Sequence, residues 1–249
     1  MESRYEHIYA SFFAPKREGE GERQMDLEFM RTHLPLYTEA AWLTLRIAAM
    51  GILLAFLIGL VTSITKYLKI PVLTQIANVY IELSRNTPLL IQLFFLYFGL
   101  PKLGVVLSSE SCGIIGLAFL GGSYMSEAFR SGLDNVAQIQ TQSGLSLGFT
   151  NSQIFRHIIL PQAVSTSVPL FCANVIFLIK ETSVFSAVAL ADLMFVAKDL
   201  IGIYYKTDEA LFMLVSAYLV ILLPISVIAS FIERRVRYAG FGDTSAVSG

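Results

Sequence analysis

The chain has 249 residues, a net charge of -1, 55% hydrophobic residues and 15% charged ones, where a soluble domain carries roughly 25% charged residues. With a mean hydropathy of +0.63, these values exclude a disordered chain, a basic nucleic-acid binder and an ordinary soluble enzyme, and they give no electrostatic reason for a polyanion partner. The two cysteines, Cys112 and Cys172, sit inside apolar runs, which excludes a disulfide scaffold or a multi-cysteine metal site.

Residues 1–35 are charged, contain Gly and Pro and lack a long apolar stretch. No positive segment leads into a short apolar core, so they read as an extramembrane arm and not as a cleaved signal peptide. A short interfacial helix is expected around Tyr5–Phe13. Beyond the arm the apolar runs dominate. A helix crossing about 30 Å of hydrocarbon needs roughly 20 mostly apolar residues. Ile47–Thr65 and Ala210–Ile232 meet that without a charge. Five spans are expected, at about 37–65, 73–100, 112–133, 163–182 and 209–232. The second includes Glu82 and Arg85, and the third extends into Glu127 and Arg130. Five such runs in so short a chain leave too little polar surface to cover them in a soluble protein. The expected fold is all-α integral membrane, one domain over 36–238, followed by a tail at 239–249.

The lysines and arginines set the orientation. One set of connections holds Lys66, Lys69, Arg130, Arg156, Arg234, Arg235 and Arg237; the other holds Lys102, Lys198 and Lys206. The first set is expected inside, which puts the C-terminus in the cytoplasm and the N-terminus outside, although the arm carries Arg4, Lys16, Arg17, Arg23 and Arg31.

The loop over 135–160 is polar enough to leave the membrane and has helical punctuation. Asn135–Leu147 reads as a short helix, with Gly148 placed where a left-handed residue ends it. Thr150 starts a second helix, and Gln153 completes a capping box. Pro161 stops that helix or starts the next. The apolar Leu145, Leu147, Phe149, Ile154 and Phe155 are expected exposed, for docking to a partner or for packing on the chain's own helices. His157 stands alone and makes no metal site.

The spacing Gln142-Ser143-Gly144-x3-Gly148-x9-Ile158-x-Leu160-Pro161 resembles the EAA loop of binding-protein-dependent ABC transporter permeases, E-A-A-x3-G-x9-I-x-L-P. Arg85-Asn86-Thr87-Pro88-Leu89-Leu90-Ile91-Gln92-Leu93 resembles the R-G-T-P-L-L-x-Q-L stretch of the polar amino-acid branch, the histidine, glutamine or arginine type. Ile179-Lys180-Glu181-Thr182-Ser183 is similar to its I-K-D-T-S. Together the resemblance covers about residues 35–238. It implies a type I importer transmembrane domain whose loop carries a coupling helix seated in an ATPase groove, with Gln142, Ser143, Gly144, Gly148, Phe149, Leu160 and Pro161 as the coupling residues. Three positions depart from the pattern: Gln142-Ser143-Gly144 for Glu-Ala-Ala, Asn86 for Gly and Glu181 for Asp. The first removes a carboxylate, leaving a neutral contact roughly half as strong, and puts a Gly into a helix at about 1 kcal/mol relative to Ala. Either the contact is carried by shape and Gly148, or a second, different permease bears the fuller motif.

The resemblance also implies a zwitterionic cargo, and charged residues at membrane depth are candidates to meet it. Glu181 is the leading one, with Thr182 and Ser183 expected to cap a following helix over Val184–Leu200. Asn174 lies on the same face seven residues earlier, and could line a path or bond a neighbouring helix. Glu127 could pair with Arg130, and Arg85 with Glu82, each at i,i+3. Pro88 is expected to bend the second span beside Asn86, Thr87 and Gln92. Gly121-Gly122-Ser123 is expected to permit close packing.

The function implied is the permease subunit of an ATP-driven importer for a polar amino acid, performing no chemistry itself. No G-x-x-x-x-G-K-[ST] loop occurs in the sequence, so ATP and Mg2+ are expected on a separate ATPase dimer. The other expected partners are a second permease, identical or homologous, an extracytoplasmic substrate-binding protein and the lipid bilayer, in a bacterial inner membrane; nucleic acid is not expected. The competing class is a stand-alone secondary carrier or channel, which calls for inverted repeats or a charged relay. An intramembrane enzyme would need paired catalytic carboxylates, an H-E-x-x-H helix or a G-x-S-x-G motif, and none of the three is expected here.

Overall fold

The computed structural model describes residues 25–239, all helix and connection without a strand among them. The expected interfacial helix at Tyr5–Phe13 lies outside the described residues, as do residues 240–249 of the tail. Helix α1, Leu27–Tyr67, starts ten residues before the expected first span. The Asp26 carboxylate caps it, accepting from the Phe29 N–H at 2.9 Å, which satisfies one of the free N–H groups of the first turn. The same residue ties the helix to a distant part of the chain. Its N–H donates to Glu209 Oε1 at 3.1 Å, and Lys206 Nζ reaches its other carboxylate oxygen at 3.0 Å. The Phe29 N–H and Lys206 hold the Asp26 carboxyl below its ordinary range. The Phe29, His33 and Tyr204 rings cluster beside this clip, Tyr204 edge-on to the other two, and Tyr37 Oη donates to the Ala210 carbonyl. A helix of 41 residues is about 60 Å long, twice the hydrocarbon thickness.

The second expected span is interrupted. Helix α2, Pro71–Asn86, ends at Thr87 in an extended conformation, and α3, Leu89–Phe94, begins after Pro88. Proline offers no N–H and clashes with the preceding turn, so a continuous helix cannot pass. Gln92 Nε2 repairs the gap by donating to the carbonyls of Ser84 and Thr87, at 3.1 and 2.9 Å. The chain continues as a wide turn over Phe95–Gly99 and a tight one over Leu100–Leu103. Among the described residues, four helical stretches are long and apolar enough to cross a membrane: Leu27–Tyr67, Ser109–Asp134, Asn151–Val188 and Thr207–Val236. The five expected crossings are therefore four continuous helices and one broken one.

Helix α4, Ser109–Asp134, is the centre of the molecule. It packs along α1 through small residues on both sides: Gly51, Ala55 and Gly59 on α1, and Gly113, Gly121 and Gly122 on α4. A methyl group at Gly121 would stand 2.7 Å from both Ala55 Cβ and Leu178 Cδ1, so close packing at Gly121-Gly122-Ser123 is as expected. Ser123 Oγ and the Ser84 hydroxyl share a buried bond of 3.0 Å that joins α2 to α4.

After α5, Gln138–Ser146, and the turn at Gly148, helix α6, Asn151–Ile154, runs through a wide turn at Phe155–Ile159 into α7, Leu160–Glu181. Pro161 thus stands in the first turn of α7, as the second of its expected places has it, while the wide turn keeps α7 joined to α6. The Leu160 N–H bonds the Phe155 carbonyl five residues back, and this wider turn admits the proline ring. The same device occurs before Pro101, where the Leu100 N–H reaches the Phe95 carbonyl.

The helix expected over Val184–Leu200 with a Thr182-Ser183 cap is not formed. Thr182–Val188 is a tight 3-10 continuation of α7, ended by Ala189 at φ 55°. Thr182 is buried and its hydroxyl turns back to the Ile179 carbonyl at 2.7 Å. The cap belongs instead to Asp192, which accepts from the Phe195 N–H at 2.9 Å and opens α8, Leu193–Tyr204. Helix α9, Thr207–Ala239, closes the fold.

Asp192 lies in the connection between spanning helices, fully buried, with one carboxylate oxygen unpartnered. Burial pushes its carboxyl up to about 6, against the opposing pull of the Phe195 N–H and Lys198. A folded-state value raised above 3.8 means stability present below pH about 4 and lost as pH rises through about 6. The loss is roughly 2 to 3 kcal/mol. Asp192→Asn keeps the cap without the charge. Thermal unfolding in detergent at pH 4.5 and 7.5 should show the wild type losing stability over that interval while Asp192→Asn does not. Equal pH slopes would refute the buried-carboxylate account.

Candidate functional site

The expected coupling residues gather at one end of the bundle. Gly148 has φ +81° with open space where a Cβ would sit, the conformation that only Gly adopts cheaply. Its N–H donates to the Leu145 carbonyl, and the Phe149 N–H to the Gly144 carbonyl. Thr150 and Gln153 form the full capping box. The first helix is Gln138–Ser146, shorter than the expected 135–147. Gln142, Ser143, Leu145, Leu147, Phe149, Leu160 and Pro161 are exposed. Phe155 is only partly exposed and Ile154 is buried: it is 1% exposed, and it packs under Gly144, where an added Cβ would meet Ile154 Cγ1 at 2.8 Å. The Gly that departs from the expected motif is therefore the residue that lets the two short helices touch. Contrary to the expectation that no G-x-S-x-G motif occurs, Gly144-Leu145-Ser146-Leu147-Gly148 spells one. That pattern needs its serine on a strand-to-helix elbow, whereas Ser146 ends a helix and its hydroxyl donates to the Gln142 carbonyl at 3.0 Å.

A second group forms where α2, α4 and α7 meet. Arg85 pairs with Glu127, joining α2 to α4, and its guanidinium lies 5.2 Å from the Tyr124 ring centroid. Asn174 Nδ2 donates to the Tyr124 carbonyl at 3.1 Å, fixing α7 to α4. The Tyr124 ring packs at 5.1 Å against Phe177. The expected pairings within single helices are replaced. Glu82 accepts from Asn86 Nδ2 at 3.0 Å, and Arg130 pairs with Asp134 at 3.2 Å. An open polar cavity of about 360 Å3 adjoins, with Lys66, Glu127, Arg130 and Asp134 on its wall. Arg85, Glu127 and Asn174 are thus brought together. Tyr124, which touches Arg85 and Asn174, escaped the sequence reading because an aromatic residue in an apolar helix carries no signal of its own.

The remaining candidates stand apart. Gln92 and Thr87 serve the break in the second span, while Asn86 turns back onto Glu82. Glu181 and Ser183 are partly buried at the opposite end of α7, about 10 Å along the helix from Asn174. Glu181 makes no ion pair with any described residue. Among the described residues no three of His, Cys, Asp and Glu cluster as metal ligands.

Residues 48–238 match the family model described as binding-protein-dependent transport system inner membrane component. The probable amino-acid permease protein YxeN of Bacillus subtilis is 33% identical over 84% of this chain and 95% of its own length. The probable glutamine ABC transporter permease protein GlnM of the same organism is 30% identical over 85% and 98%. Among solved structures, an amino acid ABC transporter crystallised with histidines superposes with a TM-score of 0.81, at 30% identity, over 85% of this chain and 99% of that one. The inward-facing MetNI methionine ABC transporter shares the fold, with a TM-score of 0.66 at 19% identity over 82% and 98%.

The Arg85–Glu127 pair is about 40% exposed on both sides, and ion pairs so exposed contribute about 0 to 1 kcal/mol. A double-mutant cycle of Arg85→Gln and Glu127→Gln, read by thermal unfolding in detergent, should give a coupling below about 1 kcal/mol. A coupling of several kcal/mol would make the pair a structural tie and remove it as a group free to exchange partners.

Proposed function

The chain belongs to the family of binding-protein-dependent transport system inner membrane components, and from that premise we propose that it is the permease subunit of an ATP-driven importer for a polar amino acid. The observation that carries the reading is the exposed helix–turn–helix at Gly148, which supports a coupling role. Its relatives named as amino-acid and glutamine permeases support the cargo class.

ATP and Mg2+ bind on a separate ATPase dimer, and closure of that dimer pushes on the 138–160 turn. Gln142, Ser143, Phe149 and the flanking Leu160-Pro161 meet the ATPase, while Gly144 and Gly148 shape the surface they present. A second permease, identical or homologous, completes the path, and a substrate-binding protein delivers the cargo from outside. The chain lies in a bacterial inner membrane with its N-terminus outside and C-terminus in the cytoplasm. Lys66, Lys69, Arg130 and Arg156 at the end of the molecule that bears the turn support that orientation. A zwitterion needs a cation for its carboxylate and an anion for its ammonium group. Arg85 and Glu127 offer both beside the polar cavity, and Glu181 with Ser183 offers acceptors toward the outer end. Buried Thr182, and Asn174, Asn86, Thr87 and Gln92, hold the backbone around these groups.

Affinity purification of the chain from its own cells in mild detergent should yield a stoichiometric P-loop ATPase and one or two permease species. Gly148→Asp forces a side chain into the left-handed region at a cost of about 1 to 2 kcal/mol and puts a charge on the docking face. It should insert normally, lose the ATPase and reduce uptake more than tenfold. Glu181→Gln should reduce uptake with the ATPase retained. A chain that purifies without an ATPase, or a Gly148→Asp variant with normal uptake, would overturn the coupling assignment.

A further inference from the structure

A long apolar groove runs between the inner ends of α1 and α4 and the helix that begins at Asn151. Leu60 and Tyr67 of α1 form one wall, and Phe155, Val164, Ser167 and Phe171 the other. Phe155 to Phe171 is sixteen residues, or about 24 Å along the helix, enough to run from the membrane surface past the depth of one leaflet. The groove holds about 640 Å3, and its lining is mostly aliphatic and aromatic, which suits a hydrocarbon chain. Two buried polar side chains line it, Ser63 and Ser167, and Ser167 already donates to the Ala163 carbonyl at 2.7 Å.

The surface end of the groove is positively charged. Lys69 follows the lining residue Leu68, and Arg156 follows Phe155. Both are exposed, and neither pairs with a carboxylate of any described residue. The carboxylate nearest in sequence to a lining residue, Asp134, is held by Arg130. An apolar slot with two exposed cations next in sequence to the lining residues at its interfacial end matches a lipid whose headgroup is anionic.

We propose that this groove binds one anionic phospholipid of the inner leaflet, an acyl chain lying along Val164 to Phe171 and the phosphate over Lys69 and Arg156. The leaflet assignment rests on the orientation proposed above. The position gives the lipid a mechanical role. One wall is the segment that follows directly from Gly148, and the other is α1, their Tyr67 and Phe155 rings 5.5 Å apart. An occupied groove wedges the coupling segment against the long first helix, so movement of the turn is passed to α1.

The test uses the intact transporter purified in mild detergent, incubated with equimolar phosphatidylglycerol and phosphatidylcholine and examined by native mass spectrometry. The wild type should retain one phosphatidylglycerol per copy of this chain, at least tenfold over phosphatidylcholine. Val164→Trp fills the slot and should retain neither lipid. Lys69→Glu with Arg156→Glu should lose the preference for the anionic lipid. Undiminished retention in Val164→Trp, or equal retention of both lipids by the wild type, would overturn the proposal. So would cross-linking of Val164→Cys to a second permease in place of lipid retention. Co-purification of the ATPase is scored in the same samples. A wild type that keeps the ATPase but retains no phosphatidylglycerol refutes the lipid site alone, whereas absence of the ATPase from the wild type refutes the coupling reading alone.

Discussion

The close approach of α1 to α4 is the contact on which the other helices depend. In hydrocarbon no hydrophobic force drives helices together, since lipid is as apolar as leucine. Association relies on packing distance, and Gly51, Ala55 and Gly59 recur every four residues on one face of α1 to provide it. Gly51 and Gly59 make room for Leu117 and Met125 of α4, while Gly121 of α4 makes room for Ala55. With those two helices in register, Leu178 of α7 fills the space beside Gly121, and Ser84 and Tyr80 of α2 both reach the Phe119 carbonyl. The polar side chains that join helices therefore act between surfaces already brought close by small residues.

Rigid packing at the centre leaves the irregular backbone to the places where function is expected. Irregular backbone at membrane depth is tolerable only where its polar groups find partners. At Thr87-Pro88 the partner is the Gln92 side chain, which takes the two stranded carbonyls. Before Pro101 and Pro161 the partner is a carbonyl one residue further back than usual. That second solution preserves the helix direction across a proline. It explains why the turn at 148–160 is continuous with a spanning helix, even though Pro161 and Pro169 each withhold one backbone donor from it.

Sequence reasoning placed the spans, the Gly148 turn and the capping box because each has a local signature: an apolar run, a glycine after a helix, a Thr-x-x-Gln. It failed where the deciding contact is distant. Nothing near Asp26 announces that Lys206 and Glu209 will clip it, so α1 was expected to begin too late. Glu127 has a basic residue at i+3 and was expected to use it, yet Arg85 from another helix takes its place because α2 and α4 are held together by Ser84 and Ser123. Asp192 gave no sign at all. Its role as a cap becomes visible only once Thr182 is seen turned back into its own helix, which leaves the next helix start without any other cap.

The departure at Gln142-Ser143-Gly144 has an internal cause. The motif's second alanine would put a methyl group 2.8 Å from Ile154 Cγ1 at this position, a separation that forces one side to move. Gly144 removes the conflict and lets Ile154 pack to 1% exposure beneath it. Burial of an isoleucine contributes about 1.5–3 kcal/mol, more than the roughly 1 kcal/mol that a glycine costs in a helix. The substitution thus favours the folded turn even as it departs from the family pattern. With Gly144 directed inward and Gln142 outward and uncharged, the turn presents a surface defined by the left-handed Gly148 and the apolar Leu145, Leu147 and Phe149 around it. That geometry favours recognition by shape over recognition by charge.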